Sequence, residues 1–427
     1  MKIKTIPLDG TTAVAYNPLN NSFKLLSREE KHDCDTSLSS LIIENFIDDE
    51  ELAWLLTHQV NRLVLSITEN CNFRCRYCGY NYRYYCEDRT LESMTPATAK
   101  KAIDLYLKSS AYTDRVQISF YGGEALLEIE TIIDCVEYTK LHTCKPTMFS
   151  LSTNGLLLTD EIVDFLVEND IMTYISLDGP SFIHDTNRRT VTGKSTHAEV
   201  IHNIKRIKDR YPEFFYNNIS ILAVNCPPDN LNTATDYLNN LGVSVSMVDV
   251  VLNDYYESFL KQNSIDANYT HIHFCDNDWG KLNMEQLKVY KRYSRSSKHT
   301  QLHAFPAGYC IPGVQKMYVR CDGTIYPCER VDENNDIMAI GSVDNGFDLE
   351  RVKALNEAYI GLVASKCSNC WAIHFCSYCF ACMNEMEHDK DYCDKIRNKC
   401  EEDIRIFYTK IKNNPELMKR LDSLTDV

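Results

Sequence analysis

Glu69-Asn70-Cys71-Asn72-Phe73-Arg74-Cys75-Arg76-Tyr77-Cys78 sets three cysteines within eight residues, in a CxxxCxxC spacing, directly after an apolar, β-branched run over residues 62–68. Such a run, polar at its ends and interrupted by only one small polar residue, Ser66, reads as a strand buried on both faces. Three thiolates on one short loop can bind three irons of a [4Fe–4S] cube and leave the fourth iron without a protein ligand. An open iron is a place for a substrate or cofactor. Nineteen cysteines in 427 residues would produce this spacing by chance on the order of 0.04 times, so the surroundings must carry the assignment. A zinc site is the structural alternative; it needs a fourth ligand, for which Cys86 is the candidate.

Outward from this loop, short β-rich runs alternate with helical patterns. Strands are expected over residues 62–68, 116–120, 148–152, 172–177, 219–224 and 243–251. Helices are expected over 95–109, 129–142, 159–168, 198–210 and 231–241, the first opened by Thr95-Pro96, a capping residue with proline at the first helical position. Six βα units predict an α/β fold, a partial (β/α)6 TIM barrel covering 61–252, about three quarters of a full (β/α)8 barrel. Residues 1–60 read as a small segment, a hairpin over 12–16 and 23–26 followed by a helical stretch over 38–46. Residues 253–304 are polar, tyrosine-rich and irregular, and read as a bridge. Residues 305–400 form a cysteine-rich unit whose sparse periodicity predicts metal in place of an apolar core, and a closing helix is expected over 401–421 within a terminal segment 401–427.

Lys and Arg number 45 against 60 Asp and Glu, a formal charge of −15. That balance argues against nucleic acid and anionic membrane surfaces as partners. No apolar run approaches the roughly 18–20 residues that cross a bilayer, and Met1-Lys2-Ile3-Lys4-Thr5 has no secretion-signal core, so a cytoplasmic chain is expected. In a long chain of the reducing cytosol, clustered cysteines point to metal rather than disulfides. Cys34, Cys135, Cys144, Cys226 and Cys275 are isolated and read as small hydrophobes.

The loop, with aromatic Tyr77 before its third cysteine, resembles the radical S-adenosylmethionine (SAM) superfamily, whose hallmark is CxxxCxφC. The resemblance implies that Cys71, Cys75 and Cys78 hold a [4Fe–4S] cluster whose open iron chelates the cofactor's methionine moiety. Reductive cleavage then yields a 5′-deoxyadenosyl radical that abstracts hydrogen. Further motifs follow at strand ends. Tyr121-Gly122-Gly123-Glu124 is similar to the GGE motif that meets the methionine amino group, where glycines permit close backbone approach. Ser152-Thr153-Asn154-Gly155 and Ser176-Leu177-Asp178-Gly179 match the positions that meet carboxylate and ribose. Arg188 resembles a carboxylate-binding arginine, Leu222 and Val224 would line the adenine, and Tyr77 would pack near it.

The later cysteines resemble the SPASM extension of such enzymes, which carries two auxiliary [4Fe–4S] clusters and brings the total to three. Cys310, Gly323 and Cys328 are spaced x12 and x4; Cys367, Cys370, Cys376 and Cys379 are spaced x2, x5 and x2, before Cys393. The family spacing ends in x3, so Cys379 and Cys382 compete. The resemblance implies one cluster on Cys310, Cys328 and Cys379 or Cys382, with Cys321 or an open iron in fourth place. The other falls on Cys367, Cys370, Cys376 and Cys393, with Cys400 as competitor. A zinc ribbon or a non-catalytic iron–sulfur scaffold is the bland alternative.

Enzymes of this branch modify ribosomally made peptides or protein side chains through thioether links, carbon–carbon crosslinks, or formylglycine formation in sulfatases. Glu329, directly after Cys328, occupies the place of a proposed substrate base in the sulfatase-maturing relatives. Tyr80-Asn81-Tyr82-Arg83-Tyr84-Tyr85 departs from the CxYCFY continuation of those relatives. The reading is therefore a maturase of a precursor peptide carrying a leader, most simply thioether-forming, reduced by flavodoxin or ferredoxin. Residues 1–60 would supply part of a leader-docking surface by strand addition.

Overall fold

The computed structural model describes residues 2–19, 22–27, 38–44, 47–80, 91–226, 232–249, 258, 261–263, 305–376, 378–383 and 391–413. Six parallel strands follow one another in chain order: β4 (Leu63–Thr68), β5 (Val116–Gly122), β6 (Thr147–Thr153), β7 (Met172–Ser176), β8 (Ile219–Asn225) and β9 (Ser244–Asp249). Every residue of β4 is buried, as the continuous apolar run requires of a strand covered on both faces. Helices α2 (Pro96–Ser109), α3 (Ile129–His142), α4 (Asp160–Glu168), α6 (His197–Arg210) and α8 (Asn232–Asn239) return the chain between them, joined by the short α5 (Ser181–Asn187) and α7 (Pro212–Asn218).

Local chemistry starts these helices. The Thr95 side chain accepts from the Thr98 backbone N–H at 3.1 Å, and Thr159 caps α4 in the same way; each cap contributes about 1 kcal/mol. The buried face of α2 carries Ala99, Ala102, Ile103 and Tyr106. Tyr106 fixes the register of helix on sheet, because its hydroxyl donates to the Asn61 carbonyl at 3.0 Å and accepts from the Gln117 N–H at 2.9 Å.

Three features depart from the sequence reading. The amino-terminal hairpin is a three-stranded antiparallel sheet, since β1 (Lys4–Pro7) joins β2 (Ala13–Asn17) and β3 (Ser22–Leu26). The helix expected over 38–46 is not formed at 38–44; the helix is α1 (Asp49–His58), with Asp48 capping Glu51. Apolar content drew the expectation to 38–46, where Leu41 and Ile43 are buried without helical geometry.

The third departure concerns the cysteine-rich part. Its strand β10 (Met317–Val319) pairs parallel with β4, and β11 (Thr324–Tyr326), β12 (Gly341–Ser342) and β13 (Gly346–Phe347) continue the same sheet to ten strands. Helix α9 (Leu349–Cys367) buries Val352, Leu355, Tyr359 and Val363 against that core. An apolar core therefore runs from the parallel strands into this region, and metal does not replace it. The closing helix α10 begins earlier than expected and is described over Tyr392–Asn413. It packs with the amino-terminal sheet in a second core of Ile6, Val14, Tyr16, Phe375, Ile404 and Phe407. The bridge at 253–304 lies almost wholly outside the described residues, as do Cys34, Cys86 and Cys275. Among the described residues no helix is long and apolar enough to cross a membrane.

Candidate active site

The cysteine loop leaves β4 at the carboxyl edge of the sheet, and the ends of the next strands close around it. The glycines of β5 make the closest approach. Gly122 has φ +137°, and a Cβ there would stand 2.3 Å from the Thr68 carbonyl oxygen; a Cβ on Gly123 would stand 2.2 Å from that of Asn70. Only glycine lets the two backbones meet. Their contact is hydrogen-bonded: Gly123 N–H donates to Thr68 O and Glu124 N–H to Asn70 O, both at 2.8 Å.

Glu124 is buried, and its carboxylate spans β5 and β6. Oε1 accepts from Thr153 Oγ1 at 2.7 Å and Leu126 N at 3.1 Å, while Oε2 accepts from Asn154 N at 2.7 Å. Burial pushes this carboxyl's pKa up, and the donors from Asn154, Thr153 and Leu126 oppose it. Asn154 in turn donates Nδ2 to Asn72 Oδ1 at 2.7 Å, inside the cysteine loop. The other wall is the stretch after α5: Arg74 N–H donates to Arg189 O, Arg76 N–H to Asn187 O, and Val191 N–H to Asn72 O. Ser152, Ser176, Leu222 and Val224 are half-buried at neighbouring strand ends.

Asp178, fully buried beyond β7, collects the fourth side. Its Oδ1 accepts from Val224 N at 3.0 Å; Oδ2 accepts from Arg188 Nε at 3.0 Å and from the Tyr77 hydroxyl. The Arg188 guanidinium lies 5.3 Å from the Tyr77 ring centre and directs Nη1 to Cys75 Sγ at 3.8 Å. In this structure the carboxylate that Arg188 meets is that of Asp178, and Tyr77 directs its hydroxyl to the same carboxylate. His184 supports both: the Asp178 N–H donates to Nδ1 at 3.4 Å, Nε2 meets Thr196 Oγ1 at 3.0 Å, and Thr196 Oγ1 donates to Arg188 O. Burial lowers the His184 pKa to about 4, which keeps the imidazole neutral. His184 and Thr196 carry no sequence signal of their own, and for Thr153 and Asn72, which lie inside the quoted motifs, the partners are remote in the chain.

The three thiols suit an iron–sulfur group. The Phe73 N–H donates to Cys71 Sγ at 3.3 Å and the Tyr80 N–H to Cys78 Sγ at 3.4 Å, and with Arg188 on Cys75 each sulfur has a donor that favours thiolate. Burial, the largest cause, pushes Cys71 up to about 12 and raises Cys75; cationic iron held by these residues would favour the thiolates. Among the described residues, no three His, Cys, Asp or Glu side chains gather at the spacing of a single metal ion.

Residues 65–233 match the Radical SAM superfamily. The chain carries a radical SAM domain and is an enzyme. The family implies a [4Fe–4S] cluster and S-adenosylmethionine. Among relatives, the radical SAM cyclopropyl synthase TigE of Paramaledivibacter caminithermalis is 23% identical over 387 residues, 82% of this chain and 76% of that one. A cysteine-type anaerobic sulfatase-maturating enzyme of Clostridium perfringens is 25% identical over 284 residues, 62% of this chain and 73% of that one. The solved structure of native anSMEcpe with bound AdoMet aligns with TM-score 0.62 at 18% identity, covering 85% of this radical SAM chain and 99% of that one, a likeness of fold.

The later cysteines of this radical SAM enzyme fall into two groups. The thiols of Cys370, Cys376 and Cys393 all act on Cys367, which burial pushes up to about 12. Cys400 neighbours Cys376 and Cys370, yet its side chain sits in the apolar core with Tyr16 and Phe407. Cys310 neighbours Cys328. Arg330 faces Cys379, Cys382 and Cys328 together, and a hydrogen bond from Cys382 lowers the Cys379 pKa to about 7. Cys379 and Cys382 therefore share one place, and the x2-for-x3 departure does not separate them. Cys321 lies elsewhere, its thiol donating to Ser66 O at 3.1 Å, with Glu69 the strongest charge acting on it.

Glu329 stands between the two regions. Its Oε1 accepts from Lys316 Nζ at 2.6 Å, whereas Oε2 is buried and has no hydrogen-bond partner among the described residues. Burial raises the pKa of Cys328 and of Tyr121, and the Glu329 charge adds to both; Tyr121 also feels Cys78.

Proposed function

We propose that this radical SAM enzyme modifies a ribosomally synthesised precursor peptide, closing an intramolecular thioether between a cysteine sulfur and a carbon of another residue. The observation that supports it best is Glu329. A buried carboxylate oxygen without a partner is costly and suits a group that must take a proton from a bound substrate. Its neighbours Tyr121 and Cys328 set it between the loop of Cys71, Cys75 and Cys78 and the second cysteine region.

When bound, a [4Fe–4S] cluster on Cys71, Cys75 and Cys78 supplies the electron that cleaves S-adenosylmethionine to a hydrogen-abstracting 5′-deoxyadenosyl radical. Two auxiliary clusters would be held by Cys310, Cys328 and the Cys379/Cys382 pair, and by Cys367, Cys370, Cys376 and Cys393; they would take the electron that the substrate radical gives up as the carbon–sulfur bond closes. The chain's own residues hold the reacting groups. Glu124, Asn154 and Asp178 fix the four strand ends, Arg188 holds Cys75 and Tyr77, and Glu329 accepts the substrate proton while Lys316 holds its other oxygen. The amino-terminal sheet, whose strand β3 lies at a sheet edge, would take the leader by strand addition. Flavodoxin or ferredoxin would supply electrons.

A second reading is ring closure between carbons, favoured by similarity to a cyclopropyl synthase over 82% of the chain; formylglycine formation is a third. Co-expression with a small cysteine-containing peptide encoded beside its gene, followed by mass spectrometry and thiol alkylation, separates them. A loss of about 2 Da with one cysteine no longer alkylated fits a thioether, the same loss with every thiol intact fits carbon–carbon closure, and about 18 Da lost from cysteine means formylglycine. An unmodified peptide beside active SAM cleavage would sink all peptide readings.

A further inference from the structure

The cysteine loop is held at both ends by one buried ionic group contributed from outside the six parallel βα units. At its start, Glu69, two residues before Cys71, has a fully buried carboxylate; Oε1 accepts from Arg320 Nε at 3.3 Å and Oε2 from the Glu92 N–H at 3.3 Å. Arg320 follows β10, the strand that pairs with β4, and its Nε also lies 3.4 Å from Glu333 Oε2. At the loop's other end, Tyr80 donates its N–H to Cys78 Sγ, and its hydroxyl lies 3.4 Å from that of Tyr318. Tyr318, fully buried in β10, donates its hydroxyl to Glu333 Oε1 at 3.0 Å.

We propose that Arg320 and Glu333 form a clasp that closes the loop of Cys71, Cys75 and Cys78, making Arg320, Glu333 and Tyr318 positioning residues for the radical-generating cluster. One guanidinium lies between two buried carboxylates and is the cation both arms share, so neither arm is stable without it. Arg320 also reaches Asp322 at 3.4 Å, which anchors its own turn. The clasp ties the stretch that bears Cys328 and Glu329 to the root of the loop, and a disturbance in one is felt in the other.

The test uses the anaerobically reconstituted full chain, challenged with an iron chelator and iodoacetamide, with mass spectrometry following alkylation of Cys71, Cys78 and the core thiol of Cys135. Arg320→Gln is expected to speed alkylation of Cys71 and Cys78 about tenfold, by making local opening easier, and to leave Cys135 unchanged. Tyr318→Phe cuts one arm only and speeds Cys78 alone. Arg320→Lys, which keeps the charge, restores most of the protection, and Glu69→Gln with Arg320→Gln exceeds Arg320→Gln by little, since no carboxylate is then stranded at the start of the loop. Rates at Cys71 and Cys78 unchanged in Arg320→Gln, or raised no more than at Cys135, would overturn the proposal. Failure of the cluster assignment itself looks different: the wild-type loop would be alkylated before chelator is added.

Discussion

Arg188 donates Nε to Asp178 Oδ2 at 3.0 Å, a pair buried beside Cys75 and Tyr77. Removing one partner strands a charge in the interior. Arg188→Gln is expected to cost about 3–5 kcal/mol, and the double variant with Asp178→Asn less than the sum of the two single changes. Chemical denaturation of the four proteins measures both; additive losses would show that the pair is not coupled.

Gly123 has no space for a side chain, because a Cβ would meet the Asn70 carbonyl oxygen at 2.2 Å, whereas a Cβ on Gly79 meets nothing within 4 Å among the described residues. Gly123→Ala should displace the cysteine loop, lower iron bound there, and reduce 5′-deoxyadenosine formation by at least about tenfold, the effect of misplacement by about 1 Å being larger still. Gly79→Ala, in the same loop, should retain wild-type iron content. Equal behaviour of the two variants would contradict the packing argument.

His184 sets an acid limit on stability. Its Nδ1 accepts from the Asp178 N–H, Nε2 meets Thr196, and the nearby charges are Asp178, Arg188, Asp185 and His197. With its folded pKa near 4 against an ordinary 6.5, the unfolded chain binds more protons between those values. Stability is therefore intact above about pH 6.5 and declines as the pH falls toward 4, by up to about 3 kcal/mol from this group. Urea midpoints from pH 7.5 to 4.5 should drop for the wild type and drop less for His184→Gln.

Glu329→Gln keeps the shape and removes the base. Peptide product should fall about 10²- to 10⁴-fold, the usual contribution of a positioned proton acceptor, while SAM cleavage by the same protein continues. Product quantified beside 5′-deoxyadenosine gives the ratio; parallel loss of both would assign Glu329 to holding the structure. Cys75→Ala, by contrast, should abolish SAM cleavage.

Much of the fold was legible because it is local. The six strands and the helices between them follow from period, caps and apolar runs, and appear within a few residues of where those signals lie. The helix expected over 38–46 failed for the same reason in reverse: apolar content marked burial, and the cap at Asp48 that starts α1 weighs more than content. The contacts of Thr153, Asn72, His184 and Arg320 could not be read, because each acts on a partner between 12 and 251 residues away.

By itself, the sequence determined the class of chemistry, since the spacing of Cys71, Cys75 and Cys78 and the motifs at successive strand ends are set by covalent distance along the chain. Only the tertiary structure decided how those parts are held. It placed Asp178 between Tyr77, Arg188 and Val224, gathered Cys379 and Cys382 around Arg330, and sent Cys321 to Ser66 instead. It also joined β10 to β4, so that one sheet carries both cysteine regions. The physical reason is that burial and pairing of charge depend on which distant segments share an interior, and chain spacing does not record that.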